Sequence, residues 1–220
     1  MIKVSYKDWW DCVFAWGMVH GMNYYERWMI QRKHRLFGSL EGEVLEIGPG
    51  AGVNLQYLPE YVQWTGLEPN VFFHPYIQKE ARRLNRQVEV RVGHAEELDS
   101  NDDSLDVVIG TLVLCSVEEL MPVLREIFRV LKPGGRYYFI EHVAAPRGTF
   151  LRLLQEMLRP IWQRILQGCR PNLETLQMIK RAGFEEVVHE EFRGPLPLVS
   201  PHISGYATKA SLGEFRIWCP

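Results

Sequence analysis

Residues 45–52, "LEIGPGAG", place three glycines at alternate positions directly after a short apolar run. A glycine-rich turn after a buried strand is typical of nucleotide-binding α/β proteins, because glycine permits a tight turn and a close approach of the backbone to a ligand. The spacing is GxGxG, and Val53 stands where the GxGxxG pattern of dinucleotide folds has its third glycine. No Gly-Lys-Ser/Thr follows, so the turn also lacks the pattern of a phosphate-binding P-loop.

Two acidic residues accompany this turn. Glu46 lies inside the predicted strand before it, where a carboxylate repels a pyrophosphate and suits a ligand with a positive charge, such as an amine or a sulfonium. Glu68 comes twenty residues after Gly48, at the end of the second predicted strand. An acidic side chain at that place accepts hydrogen bonds from the ribose hydroxyls of an adenosine cofactor. The alternative is that Glu68 only caps the next helix.

From residue 43 onward, strand-like apolar runs alternate with helical patterns. The continuous apolar run 104–110 suits a strand buried on both faces of a sheet. The next helix stops at the Lys-Pro-Gly-Gly sequence of residues 132–135. We therefore predict an α/β fold: a doubly wound, mostly parallel, seven-stranded Rossmann-like sheet with an antiparallel last strand and an N-terminal helical lid. The predicted strands span residues 43–47, 62–67, 88–92, 104–110, 136–141, 184–192 and 203–209.

The first 37 residues are rich in aromatic side chains and have the pattern of one or two amphipathic helices. We predict that residues 1–40 form an aromatic helical lid and that residues 41–220 form the main domain, since the length of 220 residues suits one hydrophobic core. A lid suits an apolar ligand, because pockets for such ligands are lined by aromatic side chains. Two other interpretations stay open: core packing against the sheet, and peripheral contact with a membrane.

Composition excludes several classes of protein. The net charge of −2 gives no electrostatic reason to expect a nucleic-acid partner. The four cysteines form no CxxC pair and have no histidine at ligand spacing, so we expect no disulfide framework, no metal site and a cytoplasmic location. Acidic residues interrupt the aromatic N-terminal region, so we expect neither a signal peptide nor a transmembrane segment.

Together these features resemble the seven-strand class I methyltransferases, which bind S-adenosylmethionine. The matching segments are the glycine turn, Glu68, "GHAEEL" (93–98), "SLDVVIGTLVLCSV" (104–117) and "REIFRVLKPGGRYYF" (125–139). The resemblance implies that residues 41–220 are a class I methyltransferase domain with S-adenosylmethionine as cofactor, and that Ala95 and Glu96 border the adenine. The cofactor-binding residues that we predict are Glu46, Gly48, Pro49, Gly50, Asn54, Glu68, Pro69, Asn70, Ala95, Glu96, Thr111 and Leu112.

A narrower resemblance concerns the acceptor. "TLVLCSV" (111–117), "EHVAAP" (141–146) and "PHISGYATK" (201–209) are similar to segments of the methyltransferase-like 7 proteins, which are thiol S-methyltransferases. This resemblance implies that the methyl acceptor is a small apolar molecule, most simply a thiol. We expect two departures from that family: its hydrophobic anchoring segment, and with it membrane attachment, is not carried over, and the tail "ASLGEFRIWCP" (210–220) is added.

The sequence is also compatible with other functions. Within methyl transfer, the acceptor can instead be a phenol or quinone, methylated at oxygen or carbon, or a lipid amine methylated at nitrogen. Outside it, a domain that binds S-adenosylmethionine without turnover is an alternative. A nicotinamide oxidoreductase is disfavoured by Val53.

Two histidines are candidates for a catalytic base. His142 follows the fifth predicted strand, whose carboxyl end faces the ligand crevice in an open α/β sheet. His202, just before the last strand, is the second candidate. A neutral imidazole at either place can take a proton from a thiol near neutral pH, and the alternative for both is a structural hydrogen bond. We predict that Cys115 packs as a small buried hydrophobe that lines the cofactor pocket beside Thr111 and Leu112.

Overall fold

The computed structural model describes residues 5–211, so most of the C-terminal tail, including Cys219, lies outside the described residues. Two helices precede an alternating α/β unit. The helices are α1 (Tyr6–Gly21), α2 (Asn23–Phe37), α3 (His74–Arg83), α4 (Leu120–Val130), α5 (Phe150–Ile165) and α6 (Thr175–Arg181). The strands are β1 (Glu43–Ile47), β2 (Gln63–Leu67), β3 (Glu89–Arg91), β4 (Leu105–Thr111), β5 (Leu131–His142), β6 (Glu186–Arg193) and β7 (Pro201–Thr208).

The strands form one seven-stranded sheet in the order β3-β2-β1-β4-β5-β7-β6. Strands β1 to β5 are parallel to one another, and β7 lies antiparallel between β5 and β6. The predicted sheet is therefore confirmed, including the antiparallel last strand. Because the order reverses between β1 and β4, the carboxyl ends of these two strands border the crevice in which open α/β sheets bind ligands.

Strand β5 begins five residues earlier than the sequence predicts. Leu131 already pairs with Leu105, and regular pairing resumes between Val107 and Arg136. The Lys-Pro-Gly-Gly segment is thus an irregularity within the strand, not a turn before it, and Gly134 takes a positive φ of 80° there. The prediction that the strand starts at residue 136 was wrong. The irregular segment separates the Leu131–Leu105 pair from the rest of the strand, so no continuous pattern in the sequence marks where the strand begins.

Both faces of the sheet are covered, as a parallel sheet requires. Alternate residues of β1 point to opposite sides, so Leu45 packs with the core on the α4 side and Val44 with the core on the α2 and α3 side. Glu46 shares the face of Val44, which directs a carboxylate toward α2. Within residues 5–211, no helix has both the length and the apolar composition needed to cross a bilayer.

Candidate functional site

One cavity of about 910 Å³ lies at the carboxyl ends of β1, β2 and β4, beneath the N-terminal helices. All twelve residues predicted to bind a cofactor line this cavity. The two predicted bases, His142 and His202, do not. The structure therefore brings all the predicted cofactor-binding residues together around one cavity. Both histidines lie outside the set of residues that line it.

The glycine turn does not have the form of a phosphate-binding loop. Gly48, Gly50 and Gly52 all have positive φ, between 55° and 75°. Their amides are used internally: Gly48 N donates to the Leu67 carbonyl, Gly50 N to the Glu68 carboxylate and Gly52 N to the Pro49 carbonyl, each at 2.9 Å. Anion-binding loops work through amides that are free to point at the anion, so this turn suits a ligand without a pyrophosphate.

Two of these glycines are needed for different reasons. A Cβ on Gly48 would collide with the Val113 side chain, so this glycine permits close packing of the turn against the end of β4. A Cβ on Gly50 would have only Phe73 near it, at 3.9 Å, and would project into the cavity. Gly50 therefore leaves space where a ligand can lie against the backbone.

Glu46 is a buried carboxylate with two neutral hydrogen-bond donors. Asn54 Nδ2 lies 2.7 Å from its Oε1 and Trp64 Nε1 lies 2.9 Å from its Oε2. Burial raises the pKa of Glu46 from 4.5 to about 7, against the two hydrogen bonds, which lower it. The Oδ1 of Asn54 is buried and has no hydrogen-bond partner among the described residues. The pair thus offers a carboxylate and an unused acceptor to a cationic ligand.

Glu68 links the glycine turn to the end of β2. Its carboxylate accepts from Gly50 N and from Asn70 N, both at 2.9 Å. Burial raises its pKa above the ordinary value of 4.5, and the two amide hydrogen bonds oppose that shift. Asn70, not Glu68, caps the following helical turn by accepting from Phe72 N. The helix-cap interpretation of Glu68 is therefore wrong.

The remaining predicted residues form the opposite rim. Glu96 accepts from Glu118 N at 3.1 Å, beside the buried Ala95. Thr111 Oγ1 accepts from Asn54 Nδ2 at 3.1 Å, which connects the end of β4 to the Glu46 carboxylate. Leu112 has a positive φ of 56°, a strained conformation for a branched side chain. Such strain is concentrated at ligand sites.

The N-terminal helices cover the cavity. From α1, Phe14 and Met18 line it. Asp11 fastens this helix to both rims, accepting from Asn70 Nδ2 at 3.1 Å and from Gln167 Nε2 at 2.8 Å. Four aromatic residues of α1 and α2 instead have more than half of their surface exposed, so core packing does not explain them: Tyr6, Trp9, Trp16 and Tyr24.

Helix α2 contributes charges that the sequence analysis missed. Lys33 is almost fully buried and donates to Glu26 at 2.6 Å, and Tyr57 donates to the other oxygen of Glu26 at 2.8 Å. Burial lowers the pKa of Lys33, an effect that Glu26 and Glu46 oppose. A signal was present in the sequence, since Lys33 interrupts an otherwise apolar stripe at spacing four, formed by Tyr25, Met29 and Phe37.

Tyr25 is the second residue that was missed. Its hydroxyl is 2.7 Å from His202 Nε2, and His202 Nδ1 is 3.0 Å from the Ser200 carbonyl. A carbonyl only accepts, so Nδ1 carries the proton, and Nε2 accepts from Tyr25. Burial is the main cause that lowers the pKa of His202 to about 4. The ring is therefore neutral, and it reaches the cavity only through Tyr25.

His142 faces away from the cavity. Its Nε2 lies 3.1 Å from Cys169 Sγ, and Cys169 Sγ lies 3.6 Å from Cys115 Sγ. Cys115 is buried as predicted, but it does not line the cavity beside Thr111 and Leu112, and that part of the prediction was wrong. The expectation of no metal site rested on local spacing, whereas here three potential ligands come from separate segments.

Comparison with known proteins points to one kind of enzyme. A methyltransferase-domain family model matches residues 45–139. Human thiol S-methyltransferase TMT1A is 35% identical, over 91% of this chain and 88% of that protein. Human thiol S-methyltransferase TMT1B is 38% identical, over 83% of this chain and 80% of that protein.

Solved structures agree on the fold. The [4+2]-cyclase SpnF has a TM-score of 0.68 at 20% identity, covering 83% of this chain and 80% of that chain. A putative methyltransferase from Bacillus halodurans has a TM-score of 0.65 at 17% identity, covering 83% and 99%. Since a cyclase and a methyltransferase both match, the fold alone does not specify the reaction.

Proposed function

This chain belongs to the family of S-adenosylmethionine-dependent methyltransferases that includes human TMT1A and TMT1B, and we propose that it methylates a small apolar thiol. One observation carries the proposal. A single cavity is lined both by the complete set of predicted cofactor residues and by apolar side chains of α1.

The cavity residues fit the cofactor. The Glu68 carboxylate accepts two hydrogen bonds from backbone amides and has further lone pairs that can accept from the ribose hydroxyls. Ala95 and Glu96 would border the adenine. Glu46 and the unpartnered Oδ1 of Asn54 would receive the cationic methionine end. When bound, S-adenosylmethionine supplies a methyl group activated by its sulfonium for in-line displacement.

The protein contributes position and exclusion of water. Two side chains of α1, Phe14 and Met18, and the strained Leu112 border the space next to the cofactor residues. Apolar walls of this kind suit an uncharged acceptor with a hydrocarbon body. Holding the acceptor in line with the methyl group lowers the activation free energy by about 7–11 kcal/mol in well-oriented reactions.

Tyr25 and His202 provide a route for the acceptor's proton. An acceptor thiol next to Tyr25 gives its proton to the Tyr25 oxygen as the Tyr25 proton moves to His202 Nε2. Because the pKa of His202 is about 4, the proton stays on the ring only while the methyl group is transferred and then passes to solvent. His202 thus acts as a base through Tyr25. His142 has no part in this proton transfer, since it contacts Cys169 and does not line the cavity.

A matched pair of acceptors tests the substrate class. Thiophenol and phenol have nearly the same shape, and the purified protein is supplied with S-adenosylmethionine and each in turn. We expect methyl thioether from thiophenol, detected by mass spectrometry, and little ether from phenol, whose pKa near 10 leaves it less ionised at neutral pH. Methylation of phenol but not of several thiols would overturn the thiol assignment.

A further inference from the structure

Three potential metal ligands converge behind the cavity wall. Cys115 follows β4, His142 ends β5 and Cys169 follows α5. Their ligand atoms, Sγ, Nε2 and Sγ, all lie within 4.8 Å of one another, and all three residues are buried. The two sulfurs are 3.6 Å apart, and His142 Nε2 is 3.1 Å from Cys169 Sγ.

These separations are close to those of a tetrahedral zinc site. With Zn–S near 2.3 Å and Zn–N near 2.0–2.1 Å, ligand atoms around one ion are about 3.5–3.8 Å apart. Two of the three separations, 3.1 and 3.6 Å, lie within about half an ångström of these values, and the third is no longer than 4.8 Å. Thiolate and imidazole ligands favour zinc over magnesium, calcium or manganese.

A second contact supports this interpretation. Trp162 Nε1 donates to Cys169 Sγ at 3.3 Å. A donor of this kind orients a ligating thiolate and partly offsets its charge, as second contacts around metal sites do. It comes from α5, a different element from those that carry Cys115 and His142.

We propose that Cys115, His142 and Cys169 bind one Zn²⁺ ion, with the fourth position open to a small ligand such as water. The ion would join three segments at the carboxyl end of the sheet. Two of them also form the cavity wall, since Ser116 follows Cys115 and Gln167 precedes Cys169 by two residues, and both line the cavity. The ion would therefore hold these two segments of the cavity lining together. The proposal does not depend on which acceptor is methylated.

Cobalt substitution tests the site without an activity assay. The sequence has four cysteines, so the variant C12S/C219S keeps only the two in the cluster. Metal-free C12S/C219S is titrated with Co²⁺ under reducing, anaerobic conditions. We expect a thiolate-to-cobalt charge-transfer band and the visible bands of tetrahedral cobalt, complete at about one ion per chain. Zn²⁺ should displace the cobalt and raise the melting temperature.

Ligand variants in the same background provide the controls. C115S, C169S and H142A should each weaken cobalt binding at least tenfold. H189A should not change it, because His189 lies on β6 outside the cluster. Zinc content of the protein purified without chelator gives an independent measurement that needs no variant to fold. Absence of both the cobalt bands and stoichiometric zinc would overturn the proposal, and so would cobalt bands that persist in C115S and H142A.

Discussion

The Tyr25 hydroxyl lies 2.7 Å from His202 Nε2, although 177 residues separate the two along the chain. The contact joins α2, which lines the cavity, to β7, which does not. It orients a neutral imidazole behind a phenol that faces the ligand space. We therefore expect His202 to act on a ligand in the cavity through Tyr25 and not by direct contact.

Replacing Tyr25 by phenylalanine removes this route while keeping the ring. At pH 7 we expect Y25F to lower kcat with a thiol acceptor by about 100-fold, a typical loss for general acid–base catalysis. The loss should shrink above pH 8.5, where the thiol is already ionised. Initial rates measured from pH 6.5 to 9.5 test this expectation.

The neighbouring Tyr24 provides a matched control, because its side chain is 68% exposed. Y24F should keep the wild-type pH–rate profile. An equal loss of rate at all pH values in Y25F would assign Tyr25 to substrate positioning and exclude proton transfer.

Glu68 should support both cofactor binding and the local backbone. E68A removes the acceptor for ribose and leaves the amides of Gly50 and Asn70 without their partner. We expect S-adenosylmethionine affinity to fall by about 10- to 100-fold and the free energy of unfolding to fall by about 1–3 kcal/mol. Calorimetric titration and urea unfolding measure the two effects. E41A, at an exposed carboxylate, should change neither.

The pH dependence of cofactor binding should report the ionisation of Glu46. Because burial places its pKa at about 7, the carboxylate is mostly protonated at pH 6 and mostly charged at pH 8. A charged Glu46 attracts the cationic end of the cofactor, so affinity should rise about tenfold between these pH values. In E46Q this rise should be lost, and an unchanged pH dependence there would exclude Glu46 as its source.

Stability without cofactor should change in the opposite direction. A carboxyl whose folded pKa is raised binds more protons in the folded state than in the unfolded state. Its stabilising contribution is complete below pH 4.5 and is lost as the pH rises through 7. We expect the wild type to lose about 3 kcal/mol relative to E46Q over that range. Denaturant unfolding of both proteins from pH 5 to 8 measures the difference.

Alanine at the two turn glycines should separate folding from binding. G48A forces a Cβ against Val113 at a positive φ, so we expect a loss of about 2–3 kcal/mol in unfolding free energy. G50A carries only the conformational cost of about 1–2 kcal/mol, but its methyl projects into the cavity and should weaken cofactor binding more than it weakens the fold. Thermal unfolding with and without S-adenosylmethionine distinguishes the variants.

The amino-acid sequence was enough to predict the sheet, the glycine turn and twelve of the residues that line the cavity at the end of β1, β2 and β4. Strand alternation, helix periodicity and the conformations that glycine permits are local properties, so they can be read from neighbouring residues. The order of the strands then carries Glu46, Glu68 and Thr111 to one edge without further information, because the carboxyl ends of parallel strands meet there.

The surroundings of His142 and His202 depend instead on contacts between segments that are far apart in the chain. His142 ends its strand where predicted, but the direction of its ring depends on Cys169, which is 27 residues away. His202 reaches the cavity through Tyr25, a residue of a helix that no pattern relates to β7. Contacts between distant segments depend on how the helices pack against the sheet. This packing places the thiols of Cys169 and Cys115 near His142 and the Tyr25 hydroxyl against His202.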